Sequence, residues 1–280
     1  MPIDPEVAIG AEVGTQEFSW TTSDVLLYHL AVGAQNLSYT LETSDDFQVL
    51  PSFAVVAPTF HAIDPPSLDL PGCDINLAQV VHGSQEVRVE RPLPTAGSAR
   101  LTTHITDVWD KGTASVIWQE GVATDPAGAE LWRVRSSIFV KGEGGWGGDR
   151  GENTAVPVPD RAPDASTTYA VNPEQALLYR LCGDRNPLHA DPEFAKMAGF
   201  DAPILHGLCT YAIVLRELVD LLVDGDSSAV GGFRARFAGV VFPGETLAIS
   251  AWDEPDGIVA TVTVGNEARP ALTDCLVSKA

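Results

Sequence analysis

The chain has 280 residues, 45% of them hydrophobic and 20% charged, an ordinary globular composition that fits one large domain or two of average size. Its 17 basic and 38 acidic residues leave a formal charge of −21, which argues against nucleic acid or an anionic membrane as partner. No apolar run approaches the ~18 residues of a membrane span and Met-Pro-Ile-Asp-Pro-Glu lacks the basic start of a signal peptide, so a cytoplasmic location is expected. Cys73, Cys182, Cys209 and Cys275 share no metal-ligand or disulfide spacing, which fits a reducing compartment and small packed thiols.

In chain order, Thr21 followed by Leu26-Leu27-Tyr28-His29-Leu30 predicts a capped helix, and Pro51 to about Ala62 a second one. Ser84 to Arg91, Arg100 to Trp109, Ala114 to Thr124 and Glu130 to Val140 then read as strands, with Asp110-Lys111-Gly112 as a hairpin turn. The run Gly142 to Gly151 and the Pro-rich stretch after it have the composition of a linker. The glycine run lacks the Gly-Lys-Ser/Thr ending of a phosphate cradle. The expected division is therefore 1–141, a linker over 142–164, and 165–280.

The second part opens with Asn172, Pro173 and Gln175, which read as helix cap, first turn and capping-box partner, with Leu177, Leu178 and Leu181 as an apolar face that Gly183 ends. Asp184, Asn186 and His189 then fall on an irregular segment stiffened by Pro187, where side chains can turn toward a ligand. Asp191 to about Gly199 is a short helix. From Gly207, apolar residues at Leu208, Tyr211, Leu215, Leu218 and Leu222 predict a long helix with one buried stripe. The unpaired amides at its start suit a carbonyl oxygen that gains negative charge, and Gly207 lets that oxygen come close. Strands are expected near Gly232 to Ala238, Thr246 to Asp253, Gly257 to Gly265 and Ala271 to Val277.

Laid on itself, the chain repeats. Leu26 to Leu30 matches Leu177 to Leu181 at an offset of 151 (179 − 28), and Pro94 matches Pro243 at 149 (243 − 94). In the first register Asp184, Asn186 and His189 face Gly33, Gln35 and Ser38, so the first half has the scaffold without the acid and base. Ala31-Val32-Gly33-Ala34, small and apolar, is expected to open into a tunnel. Cys182 beside the motif reads as a small packing residue, and His29, His61 and His104 as surface or core histidines.

Gly-Asp184-Arg-Asn186-Pro187-Leu-His189, followed by Leu205-His206-Gly207-Leu208, resembles the signature of the MaoC-like family, the (R)-specific enoyl-CoA hydratases of type 2. Ala235-Arg236-Phe237 and Phe242-Pro243-Gly244-Glu245-Thr246-Leu247 resemble the closing strand motif of that family, with a departure at Ala238-Gly239-Val240. The resemblance implies an α+β double hot-dog, two tandem repeats of a long helix wrapped by an antiparallel sheet. It implies reversible addition of water to a trans-2-enoyl thioester, giving the (3R)-hydroxyacyl product. Asp184 and His189 would share the water, and which gives and which takes the proton stays open. Gly207 would hold the enolate-like oxygen, and Asn186 the water or the loop. By position, His82, Gly83, Lys111 and Phe237 would contact the acyl-CoA. No metal and no separate cofactor is implied, coenzyme A being part of the substrate, and the partners expected are that substrate and a second copy in a homodimer. Acyl carrier protein thioesters are the alternative within the class; a hot-dog thioesterase or a non-catalytic acyl-binding module is the alternative outside it.

Overall fold

The computed structural model describes residues 3–76 and 79–280. In chain order its elements are α1 (Pro5–Ala8), β1 (Glu12–Trp20), α2 (Thr22–Ala31), α3 (Leu37–Thr40), α4 (Phe53–Val56), β2 (Val80–Arg88), β3 (Gly97–Asp110), β4 (Ala114–Thr124) and β5 (Glu130–Lys141). The second half has β6 (Ala165–Ala170), α5 (Gln175–Tyr179), α6 (Pro192–Met197), α7 (Gly207–Leu222), β7 (Val230–Phe237), β8 (Thr246–Glu254), β9 (Gly257–Val264) and β10 (Arg269–Lys279). All ten strands form one antiparallel sheet in the order β1-β3-β4-β5-β2-β7-β10-β9-β8-β6. The order reads the same from either end once β1 is equated with β6 and β2 with β7, and the halves meet where Gln85 pairs with Ala235. This is a double hot-dog.

Only the second half has the full central helix. Cys209 to Arg216 of α7 are all buried, so the helix is enclosed on every side there and not along a single stripe. The sheet covers one side, and the end of α2 covers another: Ala31 O accepts from Cys209 Sγ at 3.7 Å, and Val32 O from Arg216 Nε at 3.1 Å. At roughly 1.5–3 kcal/mol for each large apolar side chain buried, the helix holds the second half together through packing. In the first half the equivalent segment is cut to α4 and one 3-10 turn, Ala57–Thr59, because Pro58 cannot supply the next helical N–H. Aromatic rings fill the space that a longer helix would occupy, with Trp20 against Trp132 at 5.5 Å and Tyr28 against Phe53 at 5.4 Å. Buried His29 ties this half down, its Nδ1–H donating to Tyr39 O and its Nε2 accepting from Leu50 N–H.

Several expectations change. Thr21 forms the predicted cap, a capping box with Asp24. Asn172, however, accepts from Glu174 N, the helix starts at Gln175, and the Gln175 side chain reaches across to Ala31 O instead of capping. Strands β1 and β6 lie at the two sheet edges, where one strand neighbour and a largely polar pattern leave little periodic signal. The tunnel does not form at Ala31–Ala34: these residues pack closely, and a side chain at Gly33 would overlap the Tyr169 hydroxyl. The glycine run is anchored as well. Positive φ at Gly145 and Gly147 lets their N–H groups converge on the Asp110 carboxylate, which also accepts from Gly112 N and is held down to about 2 by these bonds, Gly145 foremost.

The duplication also has a different register at the site. Gly33 and Gly183 both end their helices with positive φ, 74° and 106°, at an offset of 150 (183 − 33). The two glycines are equivalent in their bonds, Gly33 N donating to Leu30 O and Gly183 N to Arg180 O, but the residues before Gly183 form a 3-10 turn, Arg180–Cys182, where α2 stays α-helical to Ala31. Asp184, Asn186 and His189 therefore correspond to Ala34, Asn36 and Tyr39, not to Gly33, Gln35 and Ser38. Both asparagines precede a helical turn. The acid and base are missing from the first half, while the asparagine is present in both.

A Cβ at Gly183 would overlap Thr59 O, and its φ is one that L residues avoid, whereas Gly199 has φ 89° with open space around it. Gly183→Ala is expected to cost roughly 3 kcal/mol or more in urea unfolding and Gly199→Ala about 1 kcal/mol. Equal costs would show that the approach to Thr59 is not tight.

Candidate active site

The catalytic candidates sit on the segment between α5 and α7. Gly183 turns the chain out of its helix against Thr59 of the first half, and Arg185 Nε donates to Ala62 O at 3.3 Å, so the first half supports the loop. Asn186 shapes it. Its N–H donates to Asp184 Oδ1 at 3.1 Å and its Oδ1 accepts from Leu188 N at 3.0 Å, capping the turn Pro187–His189. His189 Nδ1 lies 2.9 Å from Ile204 O. A carbonyl oxygen only accepts, so Nδ1 carries the proton and Nε2 presents its lone pair. Burial lowers the His189 pKa below 6.5, against the opposing effects of the Ile204 bond and the Asp184 charge, and keeps this base neutral at pH 7.

His206, in the signature but given no role from sequence, completes the cluster. Its ring stacks on that of His189 with centroids 3.8 Å apart and planes at 28°. Its Nε2 faces Asp184 O at 3.4 Å, and its Nδ1 has no partner among the described residues. The polar atoms of Asp184, His189 and His206 lie within 4.8 Å of one another, a grouping that could also hold a metal ion. The two stacked rings keep their nitrogen lone pairs in separate planes, and a carboxylate beside two imidazoles is equally a set for proton transfer.

Gly207 opens α7 beside this cluster. No acceptor is present for the N–H of Gly207 or Leu208 among the described residues, and a Cβ on Gly207 would come within 3.1 Å of the Phe237 ring. Phe237 in turn packs on His82 at 4.7 Å, because the β2–β7 junction places the two strands side by side. Gly83 sits at the irregularity in β2 between His82 and Ser84, its Cα facing Ser137 Oγ with no room for a side chain. Asp184, His189, His206, Gly207, Phe237 and His82 thus form one connected site across both halves. Lys111 lies apart from it, over the Trp109 ring at 4.6 Å with its ammonium donating to Arg150 O. An open depression of about 690 Å³ lined by Glu17, Ser98, Arg100 and Asp125 shares no residue with the site, so chemistry and not volume marks the centre. Cys182 is buried, and burial pushes its thiol up to about 12, which excludes it as a nucleophile.

Residues 18–142 match the MFE-2 hydratase 2 N-terminal domain and residues 154–271 the MaoC like domain. Over 269 residues the chain is 52% identical to an enoyl-CoA hydratase of Mycobacterium tuberculosis, a match that covers 94% of this chain and 93% of the relative. The chain belongs to the MaoC-like hydratase family. It is also 43% identical over 289 residues to a 3-hydroxyacyl-thioester dehydratase of the same organism, covering 98% of this chain and 97% of that one. The crystal structure of a MaoC-like dehydratase from Phytophthora capsici aligns with a TM-score of 0.93 at 28% identity, covering 99% and 98% of the two chains. The MaoC-like signature here is the loop and helix start just described.

Burial holds His29 near 4 and His206 near 2 and lowers His189, while all three would titrate near 6.5 in the unfolded chain. As pH falls through 6.5 the unfolded state takes up protons that the folded state refuses, so this contribution to stability is complete above 6.5 and is lost below it. Urea unfolding at pH 7.5, 6.0 and 4.5 should show stability falling on acidification. Each such histidine contributes up to about 1.4 kcal/mol per pH unit within its window. Stability that is flat or rises between pH 6.5 and 4.5 would contradict the buried neutral state.

Proposed function

We propose that this protein is a hydro-lyase that adds water reversibly to trans-2-enoyl-CoA, giving the (3R)-hydroxyacyl thioester. The observation that carries the reading is the His189 tautomer: with Nδ1 committed to Ile204 O, the Nε2 lone pair is free beside Asp184, and the two N–H groups of the α7 start are close by. His189 Nε2 takes one proton of a bound water and the hydroxide oxygen bonds to C3. The C2–C3 π electrons move onto the thioester, whose oxygen becomes enolate-like and is stabilised by the Gly207 N–H and the positive end of a 16-residue helix. His189 passes that proton to the Asp184 carboxylate, which delivers it to C2, so both groups end as they began and water is the only species consumed. Asn186 holds the loop. No cofactor enters the cycle.

His82 and Phe237 would border the acyl-CoA at the β2–β7 junction, with the close backbone at Gly83 shaping that wall. Lys111 would serve the carrier end, away from the double bond. Against a formal charge of −21, binding of a phosphate-bearing carrier depends on such local cations, because long-range repulsion is screened beyond about 8 Å at physiological salt. The reading takes coenzyme A and not acyl carrier protein as carrier, and includes a homodimer built on an exposed sheet edge and a cytoplasmic setting. Among the described residues no helix is long and apolar enough to cross a membrane.

Asp184→Asn and His189→Gln keep side-chain size but remove proton transfer, and each should lower kcat at least ~100-fold on a trans-2-enoyl-CoA. Ser38→Ala, in the half without acid or base, should leave turnover unchanged. Near-normal turnover in either site variant would end this mechanism. Lys111→Ala should raise KM several-fold with little change in kcat, about 1 kcal/mol of uniform binding, and the effect should shrink with a pantetheine thioester. An equal loss on both substrates would make Lys111 a structural residue of the anchored glycine loop.

A further inference from the structure

We propose that His206 is a positioning residue: an aromatic platform that fixes the ring plane of His189 and stabilises the imidazolium formed when His189 takes the proton from water. This deepens the proposed hydratase reading and rests on His189 as the base. Three contacts hold the platform in place. Its ring lies 3.8 Å from that of His189 in a near-parallel stack, the Tyr179 ring packs on it at 5.0 Å, and its Nε2–H points to Asp184 O at 3.4 Å. His206 is 1% exposed, and its Nδ1 meets no donor among the described residues, although the cost of burying an unpaired imidazole nitrogen would ordinarily select an apolar ring at such a place.

What a histidine offers there is an aromatic face that also donates to the backbone of the catalytic loop, tying the position of Asp184 to the plane of His189. The face is useful only while it is uncharged. Around the pair lie Asp184 on the loop, Arg180 at the end of α5, Tyr179 on α5 and His82 on β2. Burial foremost, then a charge on His189, keep His206 unprotonated, while the backbone bond to Asp184 O opposes this only in part. When the cycle places a positive charge on His189, a neutral ring face attracts it, and a second imidazolium at this distance would repel it. The same low-polarity surroundings strengthen the attraction. Burial of His206 is thus part of the way the base is kept competent.

Two variants separate face from donor. His206→Phe keeps the face and loses the Nε2–H; His206→Gln keeps a donor near the same place and loses the face. We expect His206→Phe to lower kcat a few-fold and His206→Gln to lower it about tenfold further, with KM little changed. The acid limb of the pH–rate profile should move to lower pH in the Gln variant only. Equal losses in both variants with an unmoved acid limb would overturn the platform and leave the bond to Asp184 O as the role. Nitrogen-15 NMR of labelled histidines reads the same proposal without turnover, so it stands apart from failure of the hydratase reading. His206 should stay neutral from pH 8 to 5 in the unsubstituted protein, and His189 should titrate at lower pH in the Gln variant. Protonation of His206 above pH 5, or an unmoved His189, would overturn it. Should His206→Gln not fold, the titration of His206 in the unsubstituted protein still decides.

Discussion

The site depends on the close approach of the Gly183 backbone to Thr59 O. It puts the exit of the second-half helix directly on the first half, at a distance no side chain would allow, and the next residue is Asp184. Arg185 adds a bond to Ala62 O, and across the molecule the carbonyls of Ala31 and Val32 meet Cys209 and Arg216 of the long helix. The first half is therefore the wall against which the other half sets the loop that carries Asp184 and His189.

This division of labour explains why the two halves have diverged in opposite directions. The second half keeps a 16-residue helix whose start is open to a ligand, while the first has shortened its helix with Pro58 and filled the space with Trp20, Phe53 and Trp132. Where the second half places Asp184 and His189, the first places Ala34 and Tyr39, both buried. The continuous sheet across the β2–β7 junction keeps the halves rigidly related, and there His82 and Phe237 meet.

Within the site, hydrogen bonds assign roles that residue types alone leave open. Asp184 and His189 are each able to give or take a proton, but the carbonyl of Ile204 fixes one imidazole nitrogen as a donor and so leaves the other its lone pair. Asn186, equally able to hold a water or a loop, spends its oxygen on Leu188 N. Lys111, the cation proposed to meet the carrier, is held by the Trp109 ring and Arg150 O.

Read alone, the sequence determines the long helix from Gly207, eight of the ten strands to within a few residues, the duplication, and the loop and helix start on which Asp184, Asn186, His189 and Gly207 lie, because each rests on local signals: hydrophobic period, turn chemistry and a spaced motif. Tertiary structure decides what depends on contacts far apart in the chain. The edge strands β1 and β6 take their form from a single neighbour. The one-residue change of register between halves is seen only where Gly33 and Gly183 end their helices with the same bond and positive φ. The tunnel read at Ala31–Ala34 fails because small apolar residues serve close packing as readily as open space, and Tyr169 and α7 lie against them. The stack of His206 on His189 joins residues 17 positions apart (206 − 189) through a fold that brings the α7 start back over the loop, and no local pattern encodes that return.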